Sequence, residues 1–164
     1  MIRVFERALE TLAVDAVVRA ADDLLRPVGS VSEAIDAEGG TRLTEQRRLQ
    51  ANLEVGSAVI TGAGDLVAEF VLHVVIQGEE RAASRDTVRR ALISAWHRAE
   101  VWQLTTVGAA LSGLGLPPAE AALALVETFR DRPLATGFPA ELHIAIDHPD
   151  QRGAVEPFLR NGGR

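Results

Sequence analysis

The sequence predicts an α/β fold, in which helices cover both faces of a largely parallel or mixed sheet of about six strands. Strand-like and helix-like segments alternate along the chain, and this alternation is typical of three-layer α/β/α domains. Residues 70–76 read Phe-Val-Leu-His-Val-Val-Ile, the nearly continuous apolar pattern of a strand covered on both faces. At 164 residues the chain is expected to form one domain over residues 1–160.

The first half of the chain is predicted to contain four strands and two helices. Gly39 and Gly40 are typical of a helix stop. After them, Leu43, Leu49 and Leu53 are expected on the inner side of an amphipathic helix. The predicted strands are residues 2–5, 14–18, 57–61 and 70–76, and the predicted helices are residues 31–37 and 43–53.

The second half contains the clearest helical pattern, at residues 84–100. Ser84 can cap this helix, and apolar side chains from Val88 to Ala99 recur at helical spacing. Residues 161–164 are expected to be a frayed tail. The remaining predicted elements are strands at residues 104–110 and 142–146 and helices at residues 118–130 and 150–159.

The loop after the second strand is predicted to create a crevice suited to anions. It carries Pro27 and Gly29, and a helix is expected to open at Ser30. Ser30 with Glu33 three residues later has the spacing of a capping box, in which each side chain satisfies a free backbone amide. A strand, a glycine-bearing loop and a helix amino terminus in this order favour an anion at the carboxyl end of the strand.

This stretch resembles the opening of a macro domain, the α/β/α module known for binding ADP-ribose. That family typically reads VDAIVNAAN, followed by a glycine-rich GGGV-type loop and a helix containing AI. Here residues 14–22 read VDAVVRAAD, residues 28–31 read VGSV, and Ala34-Ile35 follow. The resemblance continues through residues 55–64, 70–73 and 111–117, and covers about residues 1–160. The chain is thereby identified as a divergent member of the macro domain, or Appr-1''-p processing-like, family.

The resemblance implies two pocket positions where this chain departs from the family. Arg19 and Asp22 stand where the family has asparagines. An amide both donates and accepts hydrogen bonds, whereas a carboxylate only accepts and a guanidinium only donates. Arg19 therefore has two interpretations. It grips a phosphate or carboxylate, or it pairs with Asp22 or Asp23 and plugs the crevice.

Two further loops of the family complete the implied site. Its first strand commonly ends in GDI, whose aspartate holds the adenine amino group, but this chain has Arg7-Ala8-Leu9 there and lacks that carboxylate. The family's second ligand loop corresponds to residues 111–117, where glycines allow a tight turn that wraps a diphosphate. Beside Arg19 and Asp22, the implied ligand-binding residues are Gly29, Ser30, Val31, Ser112, Gly113, Leu114 and Gly115.

Composition excludes several classes of chemistry. The chain has no cysteine, lysine or tyrosine, so thiol nucleophiles, thiolate metal sites and Schiff-base lysines are excluded. A net charge of −6 argues against bulk nucleic-acid binding. The four histidines show no metal-ligand spacing, since the cluster of His148 with Asp147 and Asp150 is typical of a turn. No metal or cofactor is expected, no membrane span or signal peptide is visible, and the cytoplasm is the expected compartment.

The function that these observations favour is non-catalytic binding of ADP-ribose or a related nucleotide, weakened by the substitutions in the pocket. The alternative is a structural or protein-interaction domain whose pocket is vestigial and closed. Hydrolysis of ADP-ribose from protein is the less supported interpretation, since Asp22 is the only candidate to position water at the distal ribose. The sequence leaves a homo-oligomer open.

Overall fold

The computed structural model describes residues 1–50, 53–133 and 135–160. Six strands form one mixed sheet in the order β1-β6-β5-β2-β4-β3. Each neighbouring pair is parallel except β3 and β4. The prediction of a three-layer fold with a mixed sheet is confirmed. The strands are β1 Ile2–Phe5, β2 Ala16–Asp22, β3 Ala58–Gly62, β4 Phe70–Gln77, β5 Thr106–Ala110 and β6 Glu141–Ala145.

Four α-helices and three short 3-10 turns cover the sheet in the described part of the chain. The turns are Leu9–Thr11, Leu111–Gly113 and Pro149–Gln151. No helix among the described residues is long and apolar enough to cross a membrane. The predicted tail, residues 161–164, lies outside the described residues. The helices are α1 Ser30–Arg48, α2 Arg85–Val101, α3 Pro118–Arg130 and α4 Arg152–Arg160.

The two faces of the sheet bury separate apolar cores. On one face, α2, α3 and α4 pack over side chains such as Val18 and Leu72. On the other face, Ile35 and Leu43 of α1 pack against Val17 and its neighbours. Successive residues of a strand point to opposite faces, so the uninterrupted apolar sequence of β2 and β4 is what a sheet covered on both sides requires.

Helix α2 has the structure that its sequence predicts. The Ser84 hydroxyl accepts from the backbone N–H of Thr87, and the Thr87 hydroxyl accepts from the backbone N–H of Ser84. This reciprocal cap satisfies two amides that the helix itself leaves free. The predicted apolar side chains of α2 are buried against the sheet.

Helix α1 confirms one prediction and corrects another. Its backbone leaves the helical conformation at Gly40, where φ is 66° and ψ is −162°, so two helical segments meet at a kink where the sequence predicts that the first helix stops. The prediction that Leu49 faces inward is wrong, because Leu49 is 80% exposed. It follows the buried Leu43 by six residues, and six steps of about 100° turn it well away from the buried side of the helix. Residues 51 and 52 of the predicted second helix lie outside the described residues.

Strand β2 begins and ends later than predicted. It starts after Asp15, whose carboxylate accepts from the backbone N–H groups of Thr105 and Thr106 at 2.8 and 3.1 Å. It continues through Arg19 to Asp22, although charged residues are rare in central strands. The strand can continue because both charged side chains find partners inside the fold.

The kink of α1 is held against the β3–β4 loop, and this contact yields a stability prediction. Gly64 has φ of 62°, and a Cβ there would lie 2.4 Å from the Gly39 carbonyl oxygen. We expect Gly64→Ala to lower the free energy of unfolding by about 3 kcal/mol. The left-handed backbone of an alanine costs about 1–2 kcal/mol, and the overlap of its Cβ with the Gly39 carbonyl costs about 1–3 kcal/mol. Urea denaturation measures it.

Gly137→Ala is the matched control for this substitution. Gly137 has φ of 76°, but a Cβ added there would meet no atom within 4 Å. It therefore carries the backbone strain without the overlap. Equal losses of stability in the two variants would show that the overlap with the Gly39 carbonyl costs no stability.

Candidate functional site

The sheet opens between β2 and β5, and this opening defines the candidate site. The two strands pair only at Ala16–Val107 and Val17–Gly108, whereas β2 continues along β4 as far as Asp22. Beyond Val17 the opening is occupied by the start of α1, where the Ser32 hydroxyl donates to the Ala20 carbonyl at 2.7 Å. Ligands of open α/β sheets bind in such crevices, at the carboxyl ends of the strands.

The amino end of α1 is capped differently from the prediction. The predicted capping box of Ser30 and Glu33 is wrong, since Gly29 occupies the cap with φ of 88° and no side chain accepts from the first turn. The backbone N–H of Glu33 donates to the Gly29 carbonyl at 3.2 Å. The amides of Ser30, Val31 and Ser32 donate to no acceptor within the described residues. They give this helix end a partial positive charge.

The second predicted loop lies against the first. A Cβ on Gly113 would be 3.2 Å from Val31 Cγ1, so the two glycine-bearing loops are in contact there. Gly115 has φ of 70° and turns the chain toward α3. The Ser112 hydroxyl donates to Asp147 Oδ2 at 2.7 Å, and the Leu114 side chain is 2% exposed and belongs to the core.

Asp22 closes a turn. Its Oδ1 accepts from the backbone N–H groups of Leu24 and Arg26, both at 2.9 Å, and its Oδ2 accepts from Arg26 Nε at 2.6 Å. The backbone N–H of Leu25 also donates to the Asp22 carbonyl at 2.9 Å. The carboxylate is thus occupied by its own loop, and its charged partner is Arg26.

The structure shows Arg19 in neither of its two predicted roles, as a grip for an anion or as the partner of Asp22 or Asp23. Its side chain is fully buried in the middle of β2, and it pairs with neither Asp22 nor Asp23. It forms a fork with Asp36 of α1, from Nε to Oδ1 at 2.7 Å and from Nη2 to Oδ2 at 3.0 Å. Nη2 also donates to the Leu25 carbonyl at 2.9 Å. The guanidinium therefore cannot offer its charge to an anion in the crevice.

His73 completes this buried network. It lies beside Arg19 in the register of β2 and β4, and Arg19 Nη1 lies 3.1 Å from its Nδ1. A guanidinium only donates, so Nδ1 accepts and Nε2 carries the proton toward Thr61 Oγ1, 2.8 Å away. The Thr61 hydroxyl then donates to the Gly62 carbonyl at 2.9 Å. Every polar atom of the imidazole is satisfied in its neutral form.

Burial holds the pKa of His73 well below its usual value of 6.5, and the positive charges of Arg19 and Arg47 lower it further. Burial also lowers the pKa of Arg19, against the opposing effect of its bond to Asp36. One signal of this network is visible in the sequence, a charged residue within the apolar run of β2. That signal does not identify Asp36, His73 or Arg47 as the partners. Among the described residues, no group of three or more His, Cys, Asp or Glu has the arrangement of a metal site.

A family model described as Macro domain matches residues 18–125. A macro domain-containing protein of Caldanaerobacter subterraneus is 44% identical over 66 residues, which are 38% of each chain. O-acetyl-ADP-ribose deacetylase 1 of Pantoea vagans is 37% identical over 78 residues, which are 45% of this chain and 46% of that protein. The chain thus spans less than half the length of these curated relatives.

The fold is similar to that of the Trypanosoma brucei macrodomain that was solved in complex with ADP-ribose. The TM-score is 0.83, at 22% sequence identity. The match covers 96% of this chain and 68% of that one. The two proteins therefore share their arrangement of strands and helices although only 22% of the aligned residues are identical.

The buried His73 yields a pH prediction. Its pKa is lowered in the folded state, so between pH 6.5 and the folded-state pKa the unfolded chain binds the additional proton. We expect the free energy of unfolding to fall as the pH drops below about 6.5, by up to about 1.4 kcal/mol per pH unit. Urea denaturation between about pH 7.5 and 5.5 measures this loss.

His73→Gln removes the titrating group, and His97→Gln, at an exposed position of α2, is the matched control. The pH dependence should flatten in the first variant and persist in the second. A wild-type curve that is flat across the whole pH range would contradict the assignment of a neutral, buried His73.

Proposed function

This chain belongs to the macro domain family, and from that premise we propose that it binds ADP-ribose or a related nucleotide, weakly and without turning it over. The proposed site is the crevice between the amino end of α1 and the loop that follows β5. Its contacts are made by Gly29, Ser30, Val31, Gly113 and Gly115, largely through their backbones.

The observation that carries the proposal is the uncapped start of α1. Three successive amides there, from Ser30 to Ser32, donate to no acceptor within the described residues. Backbone N–H groups at a helix amino terminus bind phosphate oxygens, because their hydrogen bonds and the helix dipole favour negative charge. A diphosphate supplies several such oxygens at once. The absence of a side chain on Gly29, where an added Cβ would meet no atom within 4 Å, lets a ligand approach the backbone closely.

Several features support weak binding. The chain has Arg7-Ala8-Leu9 where the family has its adenine-binding aspartate. Arg19 is buried against Asp36, so it contributes no hydrogen bond to a phosphate. Ser112 directs its hydroxyl to Asp147. The binding energy must therefore come mostly from backbone amides, without the charged side chains that strengthen anion binding.

The turn from Asp22 to Arg26 supports the absence of catalysis. Release of ADP-ribose from protein needs a polar side chain that positions water at the distal ribose, and Asp22 is the candidate at the matching place. Its carboxylate accepts three hydrogen bonds within the turn from Asp22 to Arg26, so it has little capacity left for a water molecule. The deacetylase activity belongs to the Pantoea vagans relative, of which this chain matches only part of the length.

A structural or protein-interaction role is the second candidate. The contact between Gly113 and Val31 favours it, because it brings the two sides of the crevice together. The bond from Ser112 to Asp147 further holds the second loop in place. Isothermal titration calorimetry with ADP-ribose distinguishes the two candidates, since a closed crevice gives no binding heat.

Ser30→Glu tests the proposed anion site by opposite effects on stability and affinity. A carboxylate in the first turn of α1 interacts favourably with the helix dipole and should raise the free energy of unfolding by about 0.3–1 kcal/mol. The same charge repels the diphosphate and should weaken ADP-ribose binding about tenfold or more, a loss of at least about 1.4 kcal/mol. Calorimetry and urea denaturation measure the two quantities.

Thr41→Glu is the matched control, because it adds the same charge to the same helix at an exposed position far along it. Its affinity for ADP-ribose should equal that of the wild type. Equal affinity in all three proteins would place the ligand elsewhere, and no binding heat in any of them would favour the structural role.

The proposal also predicts no release of ADP-ribose from an ADP-ribosylated protein substrate, because the carboxylate of Asp22 is engaged within its own turn. The measurement is the loss of label from the modified substrate, with this protein in excess over the substrate. Turnover that is lost in Ser30→Glu and retained in Thr41→Glu would contradict the non-catalytic half of the proposal while leaving the site intact.

A further inference from the structure

The buried network beneath β2 contains more positive than negative charge. Arg19 and Arg47 both contact Asp36, at 2.7 and 3.2 Å. His73 next to them is neutral, because burial and the arginine charges depress its pKa. Two guanidinium groups thus share one carboxylate, although the chain as a whole has a net charge of −6. A poorly compensated charge in a partly dry environment attracts an anion strongly.

Arg47 has one edge of its guanidinium unused. Its Nη1 donates to the Leu25 carbonyl at 3.1 Å and contacts Asp36. Its Nε is buried and has no hydrogen-bond partner among the described residues, and its Nη2 likewise donates to no acceptor there. Nε and Nη2 form the edge that binds two oxygens of a phosphate or carboxylate in parallel. A buried donor without a partner indicates that an acceptor belongs there.

Arg47 also lines a cavity of about 250 Å³ between the loop after β2 and the second half of α1. Among the residues that the structure describes, no carboxylate lines this cavity. Arg26 is held near the cavity by its bond to Asp22, and Arg48 is 70% exposed with only a 3.6 Å contact to Glu45. The lining residues are Leu24, Leu25, Arg26, Thr44, Arg47, Arg48 and Gln50.

We propose that this cavity is a phosphate-binding site in which Arg47 supplies the fork and Arg26 and Arg48 supply further charge. The ligand is inorganic phosphate or the phosphate group of a small monoester. The site shares no residue with the crevice at the start of α1, so it does not rest on the function proposed for that crevice. Bound phosphate completes the hydrogen bonds of Arg47 and balances the charge that Asp36 leaves.

The consequence for the fold is a more firmly held loop. Arg19 and Arg47 both donate to the carbonyl of Leu25, a residue held at φ of 59°. This carbonyl fixes the turn that leads from β2 into α1. An anion that holds Arg47 in place therefore also stabilises this turn, and phosphate should raise the melting temperature of the protein relative to chloride at equal ionic strength.

Nuclear magnetic resonance of the arginine Nε–H groups tests the site directly. Inorganic phosphate, titrated at about pH 6.5 against a constant ionic strength of sodium chloride, should shift the Arg47 Nε–H resonance in a saturable way. Arg48→Gln should weaken this binding about tenfold, the usual effect of losing a hydrogen bond to a charged group. Arg48 is exposed, so this variant keeps the buried network and its folding intact.

Arg42→Gln is the matched control. Arg42 lies on the same helix, is 77% exposed and contacts Asp65 away from the cavity, so its replacement removes the same charge and should leave the affinity unchanged. Ribose 5-phosphate in place of inorganic phosphate distinguishes the source. Tighter binding of the ester identifies a monoester as the ligand, and equal binding identifies free phosphate.

Three results would overturn the proposal. The first is no saturable shift of the Arg47 Nε–H resonance up to about 50 mM phosphate. The second is equal weakening by Arg48→Gln and Arg42→Gln, which would reduce the effect to general charge screening. The third is loss of the shift in Ser30→Glu, which would place the phosphate at the start of α1. If phosphate still shifts the Arg47 Nε–H resonance in Ser30→Glu, the result supports binding in the cavity, whether or not ADP-ribose binds the crevice.

Discussion

The burial of Arg19 in the centre of the sheet is the constraint on which the neighbouring structure depends. A guanidinium without solvent remains charged and requires acceptors for its five N–H donors. Asp36 from α1, the Leu25 carbonyl from the connecting loop and His73 from β4 accept four hydrogen bonds from it. Removing one partner of such a buried pair costs about 3–5 kcal/mol. The network thus fixes the rotation of α1 about its axis, the course of the loop and the tautomer of the histidine together.

The candidate site inherits its geometry from this constraint. Since Arg19 engages Asp36 and Leu25, the loop from Asp22 to Gly29 folds back on β2 as a tight turn, and Asp22 and Arg26 pair within it. Helix α1 then begins over the opening between β2 and β5, with backbone amides rather than charged side chains at its start. The anion binding proposed for the crevice would therefore depend on the backbone. The side chains of Arg19 and Asp22 make their contacts within the fold instead.

The distribution of charge separates two regions that lie close together in the fold. At the start of α1 the positive potential is the partial charge of a helix end. Beneath the loop it is the charge of Arg47, of which Asp36 offsets only a part. The turn from β2 into α1 lies between the two regions.

The sequence by itself determined the architecture of this protein, because apolar periodicity and helix caps act over a few neighbouring residues. The strands, the cap at Ser84 and the glycine loops at the carboxyl ends of β2 and β5 were all predictable in this way. Tertiary structure decided which groups the individual side chains contact. The predicted cap at Ser30, the inward position of Leu49 and the partner of Arg19 were wrong. In the folded chain Gly29 takes the cap, Leu49 lies on the exposed side because it follows the buried Leu43 by six residues, and Asp36, seventeen residues beyond Arg19, reaches that arginine. A charged side chain can choose among all carboxylates that the fold brings within reach, and that choice is made only once the sheet and α1 have packed together.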